Sequence, residues 1–225
     1  VSEIRELIEA DMHNPILHLG RLSKDELNIC DSGQVRCTIN SFDDIKPIED
    51  YGCKNSIPIK VHLKIDTGMG RMGIRYEDLD NILTQLSKSQ HIIAEGVYSH
   101  FSTAEEKNTE YRDWQLKRFK EVISKVEKNL PQVEYYHMAN SAAVLSCPEA
   151  HFNMIRPGIS LYGVTPFGNP NDKLIPVMRM KGPVVLIKEI ISGESVGYNR
   201  QYITEKNETI AIVQAGYGDG IPMEF

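Results

Sequence analysis

Apolar positions along the chain switch repeatedly between two spacings. Runs that are apolar at nearly every position, over 15–20, 35–39, 59–66, 92–101 and 133–139, read as strands covered on both faces. Between them lie residues that recur three and four apart. Ile4, Leu7 and Ile8 form one such set, Phe42, Ile45 and Ile48 a second, Leu79, Ile82, Leu83 and Leu86 a third, and Phe119, Val122, Ile123 and Val126 a fourth. These predict amphipathic helices. Ser23 to Glu26 has the S-x-x-E form of a capping box and predicts a further short helix. A short helix over 141–145 and a last strand over 153–155 complete the series.

Strands separated by helices imply parallel pairing and an α/β layering. The distinctive polar side chains fall where strands end: Lys64, His100, Asn140 with Ser141, and Arg156. An open doubly wound sheet gathers its ligand at one crevice. Polar residues spread over several strand ends suit the C-terminal rim of a (β/α)8 TIM-type barrel. The strands read here leave such a barrel about two short. The expectation is a barrel over 1–175, incomplete at its N-terminus. Beyond residue 175 the helical spacing stops. The β-rich runs 183–191 and 209–216, around a Ser192-Gly193-Glu194 turn, predict the beginning of a separate all-β domain over 176–225. The chain opens inside a helical pattern and stops soon after a strand, so it is expected to be a piece of a longer protein.

Composition narrows the function classes. With 225 residues and 41% hydrophobic content, the chain can build a core and is not expected to be disordered. A formal net charge of -6 makes the chain a poor candidate for non-specific nucleic-acid binding, which needs a basic face. No apolar run is long enough to span a membrane, and no signal-peptide pattern opens the sequence. Cys30, Cys37, Cys53 and Cys147 form no C-x-x-C pair and lie at no zinc spacing with histidine. No metal site is expected, and scattered free thiols suit a reducing cytoplasm.

Five segments hold the candidate chemistry. In Lys64-Ile-Asp-Thr-Gly-Met-Gly-Arg71, a strand lysine precedes a glycine-rich turn that delivers an arginine, which suggests an anionic ligand at the strand end. Asn140-Ser141 before Ala142-Ala143 reads either as a plain helix cap or as part of a phosphate site. Arg156-Pro157-Gly158-Ile159 offers a cation and close backbone donors, with a surface salt bridge as the plainer reading of Arg156. His100 shares the rim with both cations. Tyr198 and Tyr217-Gly-Asp219 lie in turn-like settings of the β region.

Taken in order, these segments resemble the alanine racemases, fold-type III enzymes that use pyridoxal 5'-phosphate (PLP). The matching runs are 64–71, 98–104 (Tyr-Ser-His-Phe-Ser-Thr-Ala), 137–143 (His-Met-Ala-Asn-Ser-Ala-Ala), 156–163 (Arg-Pro-Gly-Ile-Ser-Leu-Tyr-Gly) and 216–220 (Gly-Tyr-Gly-Asp-Gly). The resemblance implies that Ser141, Asn140 and the backbone of Gly158 and Ile159 hold the cofactor phosphate. It places Arg156 at the ring nitrogen and Arg71 at the phenolic oxygen and the substrate carboxylate. Lys64 matches a position that the family often carries as a carbamate. Tyr198 would be one of two proton carriers, supplied across a homodimer interface, with His100 and Arg156 as its electrostatic neighbours and Tyr217 and Asp219 at the substrate entrance. Gly197 and Asn199 flank Tyr198 where many members have serine and glycine, so Tyr202 stays open as an alternative. The second carrier, the PLP lysine, would lie before Val1, and the chain alone is expected to be inactive. A racemase of serine or another amino acid, and a non-catalytic PLP-binding barrel, are the alternative functions.

Overall fold

A computed structural model describes residues 1–168 and 173–221, so residues 222–225 of the expected β domain lie outside the described part. The chain divides into two compact units, Val1–Ile175 and Pro176–Phe225. In the first, helices α1 (Ser2–Glu9), α2 (Ile45–Asn55), α3 (Leu79–Leu86), α4 (Glu110–Asn129) and α5 (Ser141–Ser146) are interspersed with strands β1 (Ile16–Leu17), β2 (Val35–Ile39), β3 (Ile59–Asp66), β4 (Ile74–Arg75), β5 (Ile92–Tyr98) and β6 (Tyr135–His137). All pairings are parallel, in the order β1-β2-β3-β5-β6, with β4 added beside the end of β3. This is part of the wall of a TIM-type barrel, as the alternation of periods predicts. Among the described residues, no helix is long and apolar enough to cross a membrane.

Several elements differ from the pattern reading: the strand expected over 15–20 is only Ile16–Leu17, that over 92–101 ends at Tyr98, and Ile74–Arg75 adds a short strand. The strand expected over 153–155 shrinks to one parallel bridge between His137 and Met154. The Asn153 side chain takes over the pairing instead. Its Oδ1 accepts from the Tyr136 amide at 2.8 Å and its Nδ2 donates to the Glu134 carbonyl at 2.6 Å. The helix at Ser23 is a 3-10 segment, Lys24–Cys30, held by the reciprocal Ser23–Glu26 box.

The strands are also less apolar than a doubly covered wall requires. On β3, Ile59, Val61, Leu63 and Ile65 are fully buried, but the alternate positions are Lys60, His62 and Lys64, which face the other side. Register extends that polar face across the sheet. One row runs Thr38, His62, Gly96, Tyr135, and the next runs Lys64, Tyr98, His137. Between Val61–Ala94 and His62–Gly96 the pairing steps past Glu95, a bulge that re-aims a side chain. The Glu95 carboxylate receives Arg36 Nε at 2.7 Å, Arg36 Nη2 at 3.1 Å and Lys60 Nζ at 2.7 Å.

In the second unit, β7 (Val184–Ile190) pairs antiparallel with β10 (Glu208–Val213), and β8 (Ser195–Val196) pairs antiparallel with β9 (Tyr202–Ile203). Two 3-10 turns, Tyr198–Arg200 and Tyr217–Asp219, follow β8 and β10. The described part of this unit is all-β apart from those turns.

Candidate active site

The end of β3 is shaped by one carboxylate. Asp66 Oδ1 accepts from the amides of Gly68, Met69 and Gly70 at 2.9, 2.8 and 3.1 Å, and Oδ2 accepts from Gly70 at 3.0 Å. Gly68 and Gly70 turn with φ of +139° and +70°, conformations that favour glycine. The turn ends in Arg71, which is exposed, while Lys64 at the strand end is buried. Lys64 Nζ lies 5.5 Å from the centroid of the Tyr98 ring and the Arg156 guanidinium 4.9 Å from it, with His137 stacked on the same ring at 4.8 Å. Burial, then Arg71 and Arg156, hold the Lys64 ammonium below the usual lysine range, against the pull of Asp66.

Arg156 fixes the tautomers of three histidines. Its Nη1 bonds His137 Nδ1 at 2.6 Å, and its Nη2 bonds the Ser99 carbonyl at 2.7 Å and His100 Nδ1 at 3.2 Å. A guanidinium only donates, so both Nδ1 atoms accept and both rings carry their proton on Nε2. His137 Nε2 therefore donates to His62 Nδ1 at 2.7 Å. That leaves the His62 proton on Nε2, 3.8 Å from Glu95 Oε2. A single polar line thus joins Arg156 to Glu95 through two neutral rings. Burial, then Arg156, Arg71 and Lys64, push His100 down to about 4. Burial, partly offset by Glu95, pushes His62 to about 4, and burial with Arg156 pushes His137 to about 2. Burial raises Glu95, but Arg36 and Lys60 outweigh it and hold the carboxyl at about 2.

Room for the His62 ring comes from Gly96. A Cβ there would stand 2.4 Å from His62 Cε1 and Nδ1. The ring is restrained by its 2.7 Å bond to His137, with Glu95 Oε2 3.8 Å from its Nε2. Gly96→Ala is expected to cost about 2 kcal/mol in urea unfolding. An unchanged midpoint would show that the ring moves freely.

On the neighbouring loops, Asn140 Oδ1 accepts from the Ala143 amide at 3.0 Å, which makes it the cap of α5. Ser141 Oγ accepts from the amides of Gly158 at 2.8 Å and Ser160 at 3.3 Å. The structure therefore brings Ser141 and the 158–160 loop together, with Ile159 half exposed beside them. In the second unit, Tyr198 and Tyr217 are exposed and line one groove with Val196 and Ile210. The Tyr202 hydroxyl instead donates to Glu208 at 2.5 Å, which raises its pKa. Asp219 Oδ2 accepts from the Gly216 amide and closes its own turn. Asn199 has φ of +56°, a conformation asparagine tolerates better than most residues, so its departure from glycine leaves the turn intact.

Pattern reading gave no role to Tyr98, His137, His62 or Glu95. Their signal was present as polar residues at alternate positions of otherwise buried strands. Among the described residues, no carboxylate forms an ion pair within 4.0 Å of Lys64, Arg71 or Arg156. Cations gathered with no carboxylate in direct contact, beside a hydroxyl and loop amides, fit an anionic, phosphate-bearing group such as PLP.

Comparison with known proteins points the same way. Residues 1–166 match the family model for the alanine racemase N-terminal domain, and residues 177–225 match that for the C-terminal domain. Alanine racemase 1 of Clostridium acetobutylicum is 36% identical over 98% of the chain. The chain spans 58% of that relative's length. Among solved structures, the alanine racemase of Clostridium difficile aligns over 98% of this chain and 59% of its own, with a TM-score of 0.78 and 32% identity. The biosynthetic alanine racemase of Pseudomonas aeruginosa aligns over 100% and 62%, with a TM-score of 0.81 and 30% identity.

Proposed function

Because this chain belongs to the alanine racemase family, we propose that the protein carrying it interconverts L- and D-alanine with PLP, as a cytoplasmic homodimer. The observation that supports this most is the rim of Lys64, Arg71 and Arg156 with no carboxylate paired to it among the described residues. Ser141 and the amides of Gly158 and Ile159 would hold the cofactor phosphate, the Gly158 amide exchanging its bond to Ser141 Oγ for one to the phosphate, with Asn140 shaping the turn. Arg156 would face the ring nitrogen. Three acceptors fix its guanidinium, which cannot surrender a proton, so it leaves that nitrogen unprotonated. Arg71 would grip the phenolic oxygen and the substrate carboxylate, a task that suits a forked donor.

Bound PLP supplies an electron-accepting ring that stabilises negative charge at the substrate Cα. Arg156 keeps that stabilisation modest, which favours returning a proton over transamination. Tyr198, reaching from a second copy, would hold and move the proton on one face of Cα, with Tyr217 and Asp219 at the entrance. The Tyr202 hydroxyl is committed to Glu208, which favours Tyr198 for this role. Burial and the neighbouring cations push His100 down to about 4, so it would act on Tyr198 as an oriented neutral ring, with Arg156 supplying the positive charge. Lys64, with its lowered pKa, is suited to add CO2: the ammonium gives up one proton, the free amine forms a new N–C bond to CO2, a second proton leaves the nitrogen, and the former cation becomes a carbamate anion able to orient Arg71.

The test uses the complete protein loaded with PLP in deuterated water. Either enantiomer of alanine should exchange its Cα hydrogen and yield the other. Loss of the Cα hydrogen from neither enantiomer would refute the proposal. In the same preparation, labelled bicarbonate should give a carbamate carbon signal that Lys64→Arg removes; a signal that persists would place the carbamate elsewhere.

A further inference from the structure

Helix α4 lies outside every segment that carries the proposed chemistry, yet one of its residues is wired to the tips of two strands. Gln115 is fully buried. Its Nε2 donates to the His100 carbonyl at 3.2 Å and to Thr67 Oγ1 at 3.5 Å. Its Oε1 accepts from the Ser102 amide and from Ser102 Oγ, both at 3.1 Å. The Ser102 N–H can only donate, which fixes the amide's orientation. Both N–H groups and both lone pairs of the amide are then used. Thr67 in turn bonds Ser99 Oγ at 2.8 Å, and the Ser99 carbonyl accepts from Arg156.

One turn earlier, α4 grips the turn that leads to Arg71. Tyr111 donates from its hydroxyl to the Gly68 carbonyl at 2.7 Å. A Cβ on Gly68 would stand 2.6 Å from that hydroxyl oxygen and 2.7 Å from Trp114 Cζ3, so the two aromatic rings lie directly on the glycine. Asp66 ties down the amides of the same turn from inside. The helix therefore holds the β3 turn from above and the β5 tip from beside, and Gln115 bonds to both strands.

We propose that Gln115 is a positioning residue: it fixes the spacing between the Arg71 turn and the His100 tip, and thereby sets the geometry in which Arg71 receives a carboxylate. The second half of this statement rests on the function proposed above. The first half concerns only the two strand tips.

The experiment compares Gln115→Leu with Val122→Ala in the complete protein. Val122 is fully buried on the same helix and takes no part in the tips, so its truncation weakens α4 by leaving a cavity. Three quantities are read: KM for alanine, the inhibition constant of propionate as a carboxylate probe, and amide hydrogen exchange over 66–71 and 99–102. Gln115→Leu should raise KM and the propionate constant about tenfold each, the worth of one or two hydrogen bonds. Exchange should speed up at both tips. Val122→Ala should leave both constants within about twofold and exchange at the tips unchanged. Gln115→Leu behaving like Val122→Ala, or Val122→Ala moving the constants as far, would overturn the proposal. If the parent protein does not racemise alanine, the functional reading fails by itself. The exchange data then decide the bracing: faster exchange at both tips upholds it, and unchanged exchange removes it.

Discussion

Between pH 6.5 and pH 5, folding stability is expected to fall by up to about 4 kcal/mol per pH unit. The cause lies in His62, His100 and His137, which the fold holds neutral far below the ordinary histidine range. In the unfolded chain each takes up a proton as pH drops through about 6.5. In the native state none does so until about pH 4 or lower. The unfolded state therefore binds up to three more protons in this window, and stability, complete above the unfolded value, drains away as acid is added. Glu95, held at about 2, extends the loss below the usual carboxylate range, because protonating it breaks its bonds to Arg36 and Lys60. Urea unfolding at half-unit pH steps measures the slope. Replacing His62 with glutamine should remove about a third of it. A flat profile from pH 6.5 to 5 would mean that the rings are charged, and that the tautomers assigned from Arg156 are wrong.

Replacing Tyr198 with phenylalanine should lower alanine racemisation about 10³-fold, the middle of the range for losing one general acid–base group. PLP affinity should hold, because the lost hydroxyl is not among the groups proposed to bind the cofactor. Tyr202→Phe serves as the paired variant. Its hydroxyl is spent on Glu208, so its loss should cost some stability of the β8–β9 region and little turnover. Turnover and cofactor titration on both variants separate the roles. A Tyr198→Phe protein within a few-fold of the parent, or a larger loss in Tyr202→Phe, would move the proton carrier elsewhere.

The barrel wall was legible because its two periods are strong and well separated. Leu79, Ile82, Leu83 and Leu86 gave α3, and the loss of helical spacing after 175 gave an all-β second unit. The shortening of the strand expected over 153–155 was not recoverable from spacing, since the Asn153 side-chain amide makes two of the bonds beside β6 and the backbone keeps only the bridge at Met154 and the Arg156 amide's bond to Ala139. At the site, arginines, glycines and strand-end polars announced themselves because such residues are out of place in a core. Gln115 did not stand out, although it lies four residues before Phe119 and seven before Val122, on the apolar stripe of α4. A polar residue on a buried stripe was the clue. The tautomer line from Arg156 to Glu95 was beyond sequence, since it depends on distances between three strands and on which nitrogen meets which donor.

Glu95 and Gly96 together stand opposite one residue, His62, so a single lattice point of the wall is doubly occupied. An ordinary strand would have to choose there between a carboxylate and a vacant space. The imidazole needs both: an acceptor beneath its Nε2 and no atom where a methyl group would go. Deleting Glu95 would keep every later neighbour in phase, with Tyr98 still beside Lys64. The chain of rings would then lose its carboxylate neighbour while the pairing of the strands beyond it stayed the same.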